Sequence, residues 1–187
     1  MFLLQVITLT GAVMASAPGP EARSARTTAT LPRPSRSEIN LLLRAPERKV
    51  RSTDPKISAM LAFGAMRSAT FAALLAAVDR TDVIAYIEPV TNLPPKLDGR
   101  LVLLPVTNRQ RYLRIQVRAD LSRVDLIPLI AHELWHALEV ADAPEVRDEA
   151  GMIALYRRIG EPSHGAESYD TPGARLTGKQ VRNELVG

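Results

Sequence analysis

Residues 126–138 read Leu-Ile-Pro-Leu-Ile-Ala-His-Glu-Leu-Trp-His-Ala-Leu, a run whose only ionisable side chains are His132, Glu133 and His136. An apolar stretch of this length with uncharged flanks suits a buried helix. On a helix, positions i and i+4 lie on one face, one turn apart. His132 and His136 can therefore converge on a single zinc ion. Glu133 would project beside the metal's open position, where it can take a proton from water activated there. Ala137, Leu138, Glu139 and Val140 continue the helical pattern without a breaker. The competing reading is a core helix that happens to carry two histidines. Against it, the chain has 3 histidines in all, and two of them stand in this HExxH string.

Composition narrows the chemistry. The absence of cysteine excludes disulfides, zinc–thiolate sites and cysteine nucleophiles. A length of 187 residues suits one domain with extensions. Aromatic residues make up only 4% of the chain, so a core must rest on Leu, Ile, Val and Ala. The net charge of +4 is spread along the sequence, and no nucleic-acid-binding motif accompanies it. Nucleic acid is not an expected partner.

Three regions are expected. Residues 1–17 read as an export signal: Phe2 to Met14 are uncharged and mostly apolar, and Ala15-Ser16-Ala17 resembles a cleavage site, although no Lys or Arg precedes the apolar stretch. That stretch is too short to cross a bilayer, so no membrane anchor is expected after cleavage, and the location is periplasmic or secreted. Residues 18–50 are rich in Pro and Arg and read largely as a mobile linker. Residues 51–187 hold the folded domain.

Within it, Asp54 and Pro55 mark a helix start, with the helix running to about Met66. Ser68 caps a second helix through Val78. Residues 83–87, 101–106 and 112–117 read as strands of an antiparallel sheet. Ser122 or Asp120 opens the motif helix, with Pro128 in its first turn and the helix proper beginning near Ile127. Asp142, Pro144 and Glu145 fit a capping box opening a helix to Ile159. A loop and a last helix over 172–185 complete an α+β domain.

The HExxH helix resembles the active-site helix of the zincin metallopeptidases. The longer string His132 to Ala141 (HELWHALEVA) is similar to a group of uncharacterised bacterial proteins with a zinc-peptidase domain. The resemblance covers roughly Arg51 to Leu185, specific at the motif and loose elsewhere. It implies a small zincin-like domain with a short, mostly antiparallel sheet packed on the motif helix, the edge strand holding a peptide or protein substrate.

Zinc catalysis needs a third ligand. Glu149 is the first choice. On a helix over 145–159 it falls among Val146, Ala150, Met152, Ile153 and Tyr156, and a carboxylate on an apolar face needs a partner or a metal. That placement resembles the gluzincins, in which a Glu from a following helix completes the site. Asp148 is an adjacent alternative, as ligand or as partner of a histidine ring N–H. Glu139 shares the metal face and suits orienting a ligand. Asp170 can return from the tail, or else cap a helix. A metzincin pattern would use Asp142, but Glu139 stands where that family has its helix-breaking glycine. His164, Tyr156 and Tyr169 are candidates for an oxyanion donor, and Trp135 is expected to pack on the sheet. The expected activity is zinc-dependent hydrolysis of peptide bonds with Glu133 as general base. The alternatives are a non-catalytic zincin-like binding or structural module in the cell envelope, and a basic protein with incidental histidines.

Overall fold

The computed structural model describes residues 4–5, 35, 37, 48–107, 109–162 and 168–187. The expected export signal and linker fall outside these residues, apart from β1 (Leu4–Gln5), Ser35, Ser37 and residues 48–50.

β2 (Val50–Arg51) leads into α1 (Pro55–Arg67). The Asp54 side chain accepts from the Ile57 amide and caps the first turn of α1, with proline at its start, where a missing N–H costs nothing. α2 (Ala69–Asp79) follows at once because Ser68, in an extended conformation, both ends α1 and caps α2 by accepting from Phe71 N–H. At Gly64 an added Cβ would lie 2.8 Å from the Phe71 ring and 2.9 Å from Ile127, so this glycine lets α1 approach both neighbours.

β3 (Val83–Val90), β4 (Gly99–Leu103) and β5 (Arg111–Arg118) join β2 in a sheet of order β2-β3-β5-β4. The α+β class holds, but the sheet is mixed rather than mostly antiparallel: β2–β3 and β3–β5 are parallel, and only β4–β5 is antiparallel. The connection after β3 carries the chain to the sheet edge, where β4 forms. β5 then returns between β4 and β3, so β3 and β5 must run the same way. Along β5 burial alternates strictly. Arg111, Leu113, Ile115 and Val117 face the core, and Tyr112, Arg114, Gln116 and Arg118 lie on the other face, where Gln116 bonds Glu88.

α3 (Arg123–Ala141) carries the motif and is buried almost without interruption from Leu126 to Val140. It packs on the sheet, on α1 and α2, and along α5 (Pro172–Val186). The helix starts earlier than expected, with Pro128 inside it. The carbonyl that Pro128 leaves without a helical donor belongs to Val124, whose residue is 44% exposed in the first turn, where water can serve it.

The far end of α3 corrects a second expectation. Asp142 is not an N-cap; it ends α3, donating its N–H to Leu138 O at 2.9 Å. The next helix, α4 (Glu149–Ile159), begins later and is capped by Asp148, which accepts from Gly151 N–H at 2.8 Å. The reason is Arg111. Its buried guanidinium donates to the carbonyls of Val140 (2.6 Å), Ala143 (2.7 Å) and Ala141 (3.0 Å), and it pairs with Asp82. These bonds close the C-terminus of α3 and commit residues 142–148 to a turn. The tail also contains strands that the sequence reading missed. β6 (Glu161–Pro162) and β7 (Ser168–Asp170) pair antiparallel, and β1 adds to β7 as a third strand.

Candidate metal centre

The middle of α3 sits inside the core, so its polar residues are sealed from solvent. His132, Glu133 and His136 are each 0% exposed. Four residues apart on one helix face, the two imidazoles bring their Nε2 atoms within 3.2 Å of each other. β7 ends at Asp170, whose Oδ1 lies 3.5 Å from His132 Nε2 and 3.7 Å from His136 Nε2. Among the described residues these three form the group able to hold a metal ion. A tetrahedral zinc site with bonds of about 2.1 Å separates its ligand atoms by about 3.4 Å, close to the three spacings here.

Glu139 fixes the orientation of His136. Its Oε2 accepts from His136 Nδ1 at 2.7 Å, which turns Nε2 toward the metal position, where its lone pair becomes available once Nε2 loses its proton. Its Oε1 accepts from Trp135 Nε1 at 2.9 Å and from Thr171 Oγ1 at 2.7 Å. Thr171 in turn caps α5 by accepting from Ala174 N–H. One carboxylate thus ties a histidine of α3 to the start of α5, directly after Asp170. The close approach needs Gly173: an added Cβ there would lie 2.4 Å from Trp135 Nε1. Trp135 therefore meets the start of α5, where the sequence reading had it on the sheet.

The charges reinforce one another. Burial pushes His132 down to about 3, aided by the neighbouring His136. Burial would lower His136 too, but Glu139 and Asp170 outweigh it and hold this imidazole up at about 10. Burial works against ionised Asp170 as well, yet the two histidines keep its carboxyl below the usual range. Glu133 is pushed up to about 8 by burial. Both of its oxygens are buried without a hydrogen-bond partner among the described residues, a costly state for a carboxylate unless a cation stands nearby. The first residue of β4 passes over it, since a Cβ on Gly99 would lie 3.1 Å from Glu133 Oε1.

The other candidates go elsewhere. Glu149, the first choice for third ligand, does not join the group. Its helix starts at that residue rather than at 145, leaving it half-buried in the first turn of α4. Asp148 is the cap of that helix, and Asp142 is exposed at the end of α3. Tyr156 is buried edge-on to the His136 ring at 5.3 Å and donates its hydroxyl to His136 O at 3.1 Å, so it supports the backbone of that histidine. Burial raises its phenol well above the ordinary value and keeps it a donor. Tyr169 accepts from Arg157 Nε at 3.4 Å. His164 lies outside the described residues.

Two charged residues around the site were not singled out from sequence. Arg175 places Nη1 3.7 Å from Asp170 Oδ2 and pairs with Glu161. Arg111 did leave a signal: it occupies the inward register of β5, where a charged residue demands partners. Comparisons of the chain with protein-family models, with curated proteins and with solved structures gave no match.

Proposed function

We propose that this protein is a zinc-dependent hydrolase of peptide bonds, with His132, His136 and Asp170 as the metal ligands and Glu133 as general base. The observation that carries the reading is the placement of Glu133. It is a sealed carboxylate with no hydrogen-bond partner among the described residues, close enough to His136 and Asp170 for their charges to act on it. A site needing only structural metal has no use for such a group. Bound zinc supplies Lewis acidity, polarising a carbonyl oxygen and acidifying water. With a divalent cation held beside it, Glu133 would lose its raised pKa, be ionised at neutral pH and be able to accept a proton. Glu133 then takes the proton of the attacking water and passes it to the departing amine nitrogen. Glu139 and Tyr156 hold His136 in place throughout. The zincin resemblance of the motif agrees with this reading, with Asp170 in place of the Glu first expected.

A second reading, a metal-holding module without catalysis, draws support from the complete burial of the two histidines and Glu133. Glu133→Gln separates the two. The variant should keep its metal, and hydrolysis of a quenched fluorogenic peptide library should fall by about 100-fold or more. No hydrolysis by the wild type with a full complement of metal favours the module, and equal hydrolysis by both chains overturns Glu133 as the base.

A further inference from the structure

β7 has two edges. One pairs with β6, through Glu161 opposite Asp170 and Pro162 opposite Tyr169. The other takes β1 in antiparallel register, Leu4 opposite Tyr169 and Gln5 opposite Ser168. The paired stretch stops one residue short of Asp170, the proposed metal ligand. β1 also lies against β4, whose first residue, Gly99, passes over Glu133. A two-residue segment from the far N-terminus thus lies between the strand that supplies the ligand and the strand that covers the base. Residues 6–49 separate it in sequence from β2, so it reaches β7 as a separate extended segment and not as the neighbouring arm of a hairpin.

We propose that this edge of β7 is a docking strand for an extended peptide, and that Leu4–Gln5 is its tethered occupant. Backbone pairing gives such an edge affinity for extended segments of varied sequence. An occupied edge excludes a second peptide, so the N-terminal segment competes with any substrate that approaches the metal along β7. On the export reading of residues 1–17, signal cleavage would remove the occupant and free the edge. This deepens the hydrolase reading by naming a regulator of that site, the chain's own N-terminal segment, and rests on that reading only for the consequence in catalysis.

The test uses the full chain with Leu4→Pro and Gln5→Pro together, since proline cannot donate to a strand ladder. The probe is a fluorescein-labelled synthetic peptide of residues 1–10 with two added C-terminal lysines, followed by fluorescence anisotropy. The double variant should bind it roughly tenfold or more tightly than the wild-type chain, because the tethered competitor has been released. A probe peptide carrying the same two prolines should not bind. Hydrogen exchange in the stretch paired with β1, Ser168–Tyr169, should be slower in the wild type than in the variant without probe. The full chain with Gln5→Pro alone gives the same comparison should the double variant fail to fold. Equal affinity of variant and wild type, no binding to either, or equal binding of the proline probe overturns the proposal. Zinc content measured on the same samples reports on the hydrolase reading separately.

Discussion

Glu139 receives hydrogen bonds from a proposed metal-binding histidine, from Trp135 and from the threonine that caps α5. A glutamine in its place keeps the shape but loses the charge that orients and strengthens His136. Glu139→Gln should therefore weaken zinc binding by about 10- to 100-fold, as loss of such partners generally does. Competition against a chromogenic chelator measures this, and an unchanged affinity would reduce Glu139 to a brace for α5. At this scale the sequence was most legible where chemistry is local. His132, Glu133 and His136 declare themselves because one helical turn sets their spacing. Asp170 does not, since only the path of β7 carries it back to the histidines, and no local pattern separates it from Asp148 or Glu149.

The motif helix is held to the sheet by Arg111, which is 1% exposed and engages Asp82 and three carbonyls at the end of α3. Arg111→Met removes a buried charge from its partners and leaves those carbonyls without donors. The chain should lose about 3 kcal/mol, the lower end of the range for breaking a buried pair, because Asp82 is partly exposed and can rehydrate. The shift in urea midpoint measures it, and a change within experimental error would contradict the clamp. This clamp also explains the misread boundary between α3 and α4. Asp142, Pro144 and Glu145 satisfy every local rule for a helix start, and so does Asp148 ahead of its helix. Local preference could not choose between them, and the carbonyls held by a side chain from β5 decide it. The helices α1, α2 and α5 were legible because Asp54, Ser68 and Pro172 mark their starts in sequence. Strands β6 and β7 are too short to show a period, and pairing alone defines them.

For the molecule as a whole, the proposed metal centre and the stability of the fold are coupled through protons. In the metal-free chain Glu133 is raised to about 8 and His136 to about 10, so the folded state holds protons that the unfolded chain releases. The Glu133 contribution is lost as pH rises from the ordinary carboxylate range through about 8. The His136 contribution is complete below an ordinary histidine pKa and is lost as pH rises toward about 10. His132, lowered to about 3, acts the opposite way, but only below an ordinary histidine pKa. The melting temperature of the chelator-treated protein should thus fall between about pH 6.5 and 9. Zinc needs the same groups deprotonated, so the increase in melting temperature on adding zinc should grow over that interval. A thermal-shift series with and without zinc checks both, and an increment that shrinks as pH rises would contradict the ligand set. The order of the sheet was the least legible feature at this scale. Strand lengths and alternation are local, whereas the return of β5 between β3 and β4 is a property of the whole chain.

Which residues hold a metal is read most directly by elemental mass spectrometry of the purified full chain. The wild type and Glu149→Gln should each carry one zinc per chain, and Asp170→Ala, with the same helical content, should carry none after dialysis against a weak chelator. Zinc retained by Asp170→Ala but lost from Glu149→Gln would contradict the site drawn from β7, and a wild type that takes up no metal at neutral pH would contradict the metal centre altogether.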